Sequence, residues 1–337
     1  MFNIKNEKTN HSFEAEDGQS ILDAALESGL NFPYGCRNGF CGKCKALITN
    51  GEIDYDGDLP PGISAEDAKD GLALLCQCSA KSNVDLWVDE LDPTVASIQV
   101  KTLPCKVSEI NHLNHDVVQV FLKTPESDTL QYLAGQYIDV IYPDFGLRAF
   151  SIANAPSNSS MLELHIRVVE GGEFTNFVFN ELEAKTLLNI EGPKGDFYLR
   201  DESDDPIILV AGGTGFGPVK AMVEHAIKSN TSRSIYIYWG VREQKDLYMD
   251  LPYEWDKQHE NIHFVAVLSE AGEDYQGRKG FVHQAVLEDF DDLSTYQIYV
   301  CGPPIMVESA AKTFVEKGMK KDNFFSDAFE FSAHEDE

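Results

Sequence analysis

Apolar and polar residues alternate over two short runs at the start of the chain, Phe2–Ile4 and Ser12–Phe13, as in the arms of a hairpin. The segment Ser20-Ile21-Leu22-Asp23-Ala24-Ala25-Leu26-Glu27-Ser28-Gly29 then reads as a helix. Ser20 takes the N-cap position with Asp23 three residues on, and Gly29 marks the stop. Strands are expected at Lys45–Ile48 and Val84–Val88, separated by an irregular acidic stretch. Residues 1–92 are thus expected to place one helix over a mixed sheet.

Residues 93–102, opening at Pro93, read as a linker. After Pro104 strand patterns recur at Cys105–Ile110, Val117–Lys123, Tyr137–Tyr142, Leu162–Val169 and Leu187–Glu191, with one helix pattern at Thr175–Leu182. Five or six strands punctuated by Gly and Pro predict a small antiparallel β-barrel over 103–203. From 204 to 337 the order changes to strand, glycine loop and helix. Pro206–Ala211 is short, apolar and β-branched, as a strand buried on both faces is. Ile235–Trp239, Ile262–Val267 and Gln297–Val300 repeat that pattern, with helices at Val219–Lys228, Pro252–His259, Gly280–Asp289 and Ile305–Lys317. This last part is expected to be a doubly wound α/β domain. The fold class is therefore multidomain: α+β, all-β and α/β in turn.

A chain of 337 residues, 43% of them hydrophobic, suffices for two or three domains with proper cores. Its net charge of −29 argues against nucleic acid or an anionic membrane as partner and fits a soluble monomer. Met1–Gln19 is too polar and too mixed in charge for a signal or transit peptide, and no apolar run approaches the roughly 18 residues of a membrane span. Seven cysteines do not read as a disulfide framework, so a cytoplasmic setting is expected.

The cysteines carry the strongest chemical signal. Cys36, Cys41 and Cys44 are spaced C-x4-C-x2-C, and Cys76 follows in Leu74-Leu75-Cys76-Gln77. A 2Fe–2S cluster needs four thiolates, two on each iron, and this spacing is the plant-type ferredoxin pattern. Structural zinc sites usually bring two short C-x2-C pairs, and only Cys41/Cys44 is one, so the cluster is the preferred reading. Gly35, Gly39 and Gly42 suit a loop wrapped tightly around an inorganic core. Cys78 is a rival fourth ligand, because in a strand it would point to the same side as Cys76. Arg37, Lys43 and Lys45 form a basic collar that either meets an acidic partner or balances the cluster's charge.

Other motifs point to phosphates and a flavin. Gly212-Gly213-Thr214-Gly215-Phe216-Gly217-Pro218 lies between a strand and a helix, where backbone amides and the helix dipole can hold a pyrophosphate; it also fits a plain tight turn. Arg148-Ala149-Phe150-Ser151 offers a fork for a phosphate, a ring to stack on an isoalloxazine and a hydroxyl to reach flavin N5. Gly171-Gly172-Glu173-Phe174-Thr175, with Thr175 expected at a helix cap, supplies a second anion site. Cys301-Gly302-Pro303-Pro304 follows a buried strand, at the carboxyl end where ligands sit in such sheets.

In this order and spacing, RAFS, GGEFT, GGTGFGP and CGPP resemble the ferredoxin–NADP reductase superfamily, with a plant-type ferredoxin (β-grasp) domain at the amino end. YLAGQYIDV, SIANAP, FVFNEL and FFSDAF are similar to reductases of the CDP-6-deoxy-4-hexulose-3-dehydrase type, from 3,6-dideoxyhexose synthesis. Reductases of phenol hydroxylases and aromatic-ring dioxygenases share the layout. The resemblance implies that Cys36, Cys41, Cys44 and Cys76 hold the cluster, with Leu-x-Cys-Gln favouring Cys76. It implies that Arg148 binds a flavin phosphate, Phe150 stacks on the ring and Ser151 bonds near N5. His165, Ile166 and Arg167 match a second flavin-facing strand, and Gly172, Glu173, Phe174 and Thr175 the flavin pyrophosphate site. Gly213, Thr214 and Gly215 match the nicotinamide-dinucleotide loop, with Cys301, Gly302 and Pro303 beside the nicotinamide. Asp327-Ala328-Phe329 resembles the family's terminal element, Phe329 shielding the flavin. Two departures stand out: the chain runs on past Phe329 to Glu337, and position 150 is Phe where the family often has Tyr.

A hydride carries two electrons and an iron–sulfur cluster accepts one, so a flavin between them is chemically required. The expectation is an NAD(P)H-dependent reductase with FAD rather than FMN. NADH is the preferred donor, since the turn after Trp239-Gly240 carries Arg242, Glu243 and Lys245 rather than a clear phosphate cradle. The acceptor is expected to be a sugar dehydratase. An oxygenase component is the alternative, and a redox-sensing role is disfavoured by the complete hydride path.

Overall fold

The computed structural model describes residues 1–34, 37, 39, 42–90, 98, 100–143, 145–156 and 160–329. They fall into two compact units, Met1–Val100 with Lys194–Asp196, and Lys101–Pro193 with Phe197–Glu337. Among the described residues no helix is long and apolar enough to cross a membrane.

In the first unit, β1 (Phe2–Asn6) pairs antiparallel with β2 (Ser12–Ala15), the predicted hairpin. With β3 (Lys45–Asn50), β5 (Leu72–Leu74) and β7 (Val84–Trp87) they build a mixed sheet in the order β2-β1-β7-β3-β5. The helix Ile21–Glu27 begins where expected: Ser20 Oγ accepts from the Asp23 N–H at 3.0 Å. It buries Ile21, Leu22, Ala24 and Ala25 in the core with Ile4, Phe13 and Leu86. The stretch expected to be irregular holds more structure than that. It contains β4 (Ile53–Tyr55), paired with β6 (Cys78–Ala80), and a short helix Ala65–Lys69 with a Ser64/Asp67 capping box. Three-residue strands are too short to show a period, but the Ser-x-x-Asp box was there to be read.

The second unit opens with β8 (Lys101–His112), which begins inside the expected linker; residues 93–97 and 99 of that linker lie outside the described residues. β9 (Val117–Lys123), β10 (Tyr137–Tyr142), β11 (Gly146–Ser151), β12 (Met161–Arg167) and β13 (Leu187–Lys194) complete a six-stranded sheet in the order β11-β10-β13-β8-β9-β12. Its ends meet through a bridge between Ile152 and Leu164 and an Ala153 N–H to Glu163 carbonyl bond of 2.7 Å, giving the predicted barrel. Leu162, Leu164 and Ile166 of β12 face its apolar interior.

The parallel sheet follows: β14 (Ile207–Gly212), β15 (Ile235–Val241), β16 (Ile262–Leu268), β17 (Arg278–Lys279), β18 (Gln297–Gly302) and β19 (Phe324–Ala328). The order is β17-β16-β15-β14-β18-β19, a doubly wound arrangement with helices at Phe216–Lys228, Leu251–Gln258, Val282–Asp289 and Pro304–Phe314. β14 and β18 are buried along their whole length, as their apolar runs predict. The first of these helices starts three residues earlier than expected. Pro218 sits in its first turn, where the missing N–H has no partner to lose. Val117, Ala134, Phe197 and Leu199 from the barrel side share one buried cluster with Leu209, Phe216 and Trp239, so these two parts have a continuous core.

Candidate functional site

Cys44, just before β3, and Cys76, in the turn between β5 and β6, are buried and in contact. A hydrogen bond with Cys44 draws the Cys76 thiol down to about 6 against the effect of burial, helped by the backbone at Gly39. Cys78 lies in β6 with no exposed surface, and burial pushes its thiol up to about 12. Cys76 stands in a turn, so the strand alternation that kept Cys78 as a rival to the preferred Cys76 does not apply. Cys36, Cys41 and Gly35 lie outside the described residues. Gly39 has φ +84°, and a Cβ there would come 2.9 Å from Gln77 Cγ and Pro60 Cβ, so the loop needs glycine at this point. The basic collar is internally matched. Arg37 pairs with Asp23, Lys45 with Asp67 at 2.9 Å, and Lys43 lies 3.4 Å from Asp196.

In the barrel, β11 and β12 carry the predicted flavin residues. Phe150 is half-buried against Phe174, ring centroids 5.8 Å apart, and Ser151 pairs with Tyr137 of β10. Arg148 turns its guanidinium to the Leu147 carbonyl at 2.8 Å. Ile166 and Phe174 point into the barrel core, which leaves only their backbone to meet a ligand. The helix Glu173–Asn180 begins two residues before the expected position, with Gly172 as N-cap and no side-chain cap. Thr175 does not cap it. Its hydroxyl accepts from the Val169 N–H at 3.0 Å and donates to the Gly172 carbonyl at 3.2 Å, closing the loop on itself. The amides of that first turn keep no side-chain acceptor, which suits an anion.

The carboxyl ends of β14, β18 and β19 bring the remaining predicted residues together. A Cβ on Gly215 would stand 2.2 Å from the Cys301 carbonyl oxygen, and one on Gly302 would stand 2.9 Å from Gly212 Cα. The two loops therefore touch backbone to backbone. Cys301 is fully buried and pairs with Asp327 across β18 and β19, while the Phe329 N–H donates to the Gly302 carbonyl at 3.0 Å. The Trp239 indole N–H fixes the Gly213 carbonyl at 2.9 Å. The tail after Phe329 lies outside the described residues.

Around Arg167 and His165, both expected on the flavin-facing strand, the fold gathers partners that no motif singled out: Asp116, Asp246, Glu163, Tyr248 and Lys220. Arg167 reaches the nucleotide loop: a Cβ on Gly213 would lie 2.9 Å from its Nη1. Its Nε donates to Asp116 at 2.7 Å, and its Nη2 lies 3.8 Å from Asp246. One buried oxygen on each of these aspartates, Asp116 Oδ1 and Asp246 Oδ1, has no hydrogen-bond partner. His165 is buried between Glu163 Oε1 at 2.8 Å and the Tyr248 hydroxyl at 3.1 Å. Burial lowers its pKa, so the ring is neutral; Nε2 donates to Glu163 and Nδ1 accepts from Tyr248. Burial alone would push Glu163 up, but bonds from His165 and the charge of Lys220 hold it at about 2. Lys220 was legible as a lone cation in the apolar run Val219–Val223.

Beyond β15 and β16 lies a cleft of about 530 Å³ lined by Glu243, Lys245, Glu270, Glu273, Asp274 and Tyr275. Lys245 is already paired with Glu243 at 3.1 Å, so the cleft is acidic.

Three family models match the chain. They are a 2Fe-2S iron-sulfur cluster binding domain over residues 4–81, an oxidoreductase FAD-binding domain over 104–198, and an oxidoreductase NAD-binding domain over 209–312. The CDP-6-deoxy-L-threo-D-glycero-4-hexulose-3-dehydrase reductase of Yersinia pestis is 43% identical over 327 residues, covering 97% of this chain and 98% of its own. The phenol hydroxylase P5 protein of Acinetobacter pittii is 34% identical over 94% of this chain and 91% of its own. Among solved structures, the Amycolatopsis cytochrome P450 reductase GcoB superposes with a TM-score of 0.80 at 31% identity, covering 98% of this chain and 99% of its own.

Proposed function

The chain belongs to the iron–sulfur flavoprotein reductases, NAD(P)H-dependent electron-transfer oxidoreductases, and on that premise we propose that it draws on NADH and delivers electrons to a CDP-6-deoxy-hexulose 3-dehydrase. The observation that carries the choice of acceptor is 43% identity to a reductase of that dehydrase over 97% of this chain and 98% of the other. Bound FAD accepts both electrons of a hydride and passes them on singly, which a 2Fe–2S cluster requires.

Within that scheme Cys36, Cys41, Cys44 and Cys76 hold the cluster; contact between Cys44 and Cys76, in a pocket that takes glycine at position 39, supports the assignment. Arg148, Phe150 and Ser151 on β11, with His165, Ile166 and Arg167 on β12, line the flavin. The uncapped turn from Gly172 through Glu173 and Phe174 to Thr175 takes its pyrophosphate. Gly213, Thr214 and Gly215 take the nicotinamide dinucleotide, beside Cys301, Gly302 and Pro303. The cradle around Gly215 is one that any Cβ would fill, which fits a backbone-lined phosphate site. Asp327 and Phe329 close that end of the sheet. NADH is favoured because Glu243, Glu270, Glu273 and Asp274 would oppose a 2′-phosphate.

Reading the acceptor as an oxygenase component instead is favoured by the phenol hydroxylase relative and by the P450 reductase fold match. Mixing the NADH-reduced protein with purified dehydrase plus its sugar substrate, and separately with an oxygenase component, distinguishes them. Oxidation of the reductase by the oxygenase alone would replace the dehydrase assignment.

A further inference from the structure

Lys220 is a buried cation on the helix that follows the nucleotide loop, one turn beyond Gly215–Phe216. Its Nζ lies 3.0 Å from the Ala153 carbonyl, 2.9 Å from Glu163 Oε2 and 2.8 Å from Glu224 Oε1. Three acceptors saturate its three donors. Ala153 is two residues beyond Ser151, and its own N–H donates to the Glu163 carbonyl at 2.7 Å. A single side chain from the nucleotide-binding part thus grips the end of the Ser151 strand and, through Glu163, the neighbouring strand β12.

The contacts continue back to their origin. Glu163 Oε1 also accepts from Gln119 at 2.7 Å and from His165, which in turn takes the Tyr248 hydroxyl. Tyr248 packs edge-on to Trp239 at 4.9 Å, and Trp239 holds the Gly213 carbonyl. The network therefore links the Ser151 strand to the nucleotide loop along two routes. A buried ammonium–carboxylate pair is costly to desolvate, and apolar residues in place of both partners would often fill the same space at no greater cost. What packing alone does not supply is a fixed registry between the two elements that must present hydride donor and acceptor to each other.

We propose that Lys220 is a positioning residue for hydride transfer, holding the Ser151–Ala153 segment at a fixed place relative to the Gly213–Gly215 loop. The inference rests on the reductase reading, in which one proton and two electrons leave the dihydronicotinamide together for the flavin and the oxidised nucleotide departs. All three Lys220 donors are taken by protein acceptors, so its loss is expected to change rate and leave affinity.

The test compares Lys220→Met and Lys220→Arg with wild type as the FAD- and cluster-loaded protein. Three quantities are read: NAD⁺ affinity by calorimetry, flavin bleaching after rapid mixing with NADH, and amide exchange at Ala153. Lys220→Met is expected to hold its NAD⁺ affinity within about twofold and to lose roughly 100-fold in bleaching rate, the scale of an ångström-sized misplacement. Its Ala153 amide exchanges faster, and Lys220→Arg recovers most of the rate. An unchanged bleaching rate in Lys220→Met overturns the proposal, and so does an affinity that falls in step with the rate. If Lys220→Met does not fold, Glu163→Gln takes its place under the same expectations, and a wild-type rate there is equally fatal. Wild-type flavin that neither NADH nor NADPH bleaches would overturn the reductase reading itself, a separate failure visible in the control.

Discussion

Gly215 and the Cys301 carbonyl are in backbone contact: a Cβ on the glycine would stand 2.2 Å from that oxygen. The loops after β14 and β18 can share the carboxyl edge of the sheet only because neither carries a side chain where they meet. Gly215→Ala must push them apart. We expect it to cost about 1–3 kcal/mol of stability, as overpacking does, and to raise the KM for NADH. The cluster's visible spectrum should be untouched. An alanine variant with wild-type melting temperature and KM would show that the loops separate freely.

The fourth cluster ligand is tested by a pair of variants. Cys76→Ser should lose the iron–sulfur spectrum, because Cys76 sits against Cys44 in the loop pocket. Cys78→Ser should keep it, because that side chain is buried in β6. The reverse pattern in absorbance and iron content would reassign the ligand.

Acid stability should report on Glu163. Its folded pKa of about 2 lies below the ordinary 4.5, so its contribution is fully present above pH 4.5 and is lost as the pH falls toward 2. The gap corresponds to on the order of 3 kcal/mol. Glu163→Gln should be destabilised at pH 7, and its melting temperature should fall less steeply than wild type's below pH 4.5. Parallel curves for the two proteins would remove Glu163 from the account.

Donor choice should follow the acidic cleft. We expect kcat/KM to favour NADH over NADPH by about tenfold or more, roughly 1.4 kcal/mol. Glu270→Lys should narrow the ratio by improving NADPH rather than by harming NADH. A wild-type preference for NADPH would mean that the cleft is not where the adenosine ribose lies.

Electron exit is separable from hydride entry. Cys44→Ser should still reduce ferricyanide, which can take electrons directly from FAD, and should fail with cytochrome c. Ser151→Ala should slow both, since hydride arrival precedes either branch. Full cytochrome c reduction by Cys44→Ser would make the ferredoxin part a docking module and not the exit port.

Spacing and period, both local properties, carried most of the fold and named the motifs on which the candidate site rests. C-x4-C-x2-C, the glycine loops after apolar β-branched runs and the Ser20 cap each depend on neighbours in sequence, and the barrel and the doubly wound sheet followed from them. Short elements escaped. β4 and β6 are each three residues long, and β19 is a half-exposed edge strand defined only by its pairing with β18. Thr175 was misplaced because a Gly-Gly start gives no side-chain cap to read. What the sequence alone could not supply was long-range proximity. Resemblance favoured Cys76, but strand geometry did not exclude Cys78, and the two are set apart physically only by the turn that takes Cys76 out of the strand. Lys220 and Glu163 are 57 residues apart, and a lysine among valines becomes meaningful only when folding brings three acceptors to its ammonium. A cation inside a core is stable where its partners converge, and that convergence belongs to the tertiary structure.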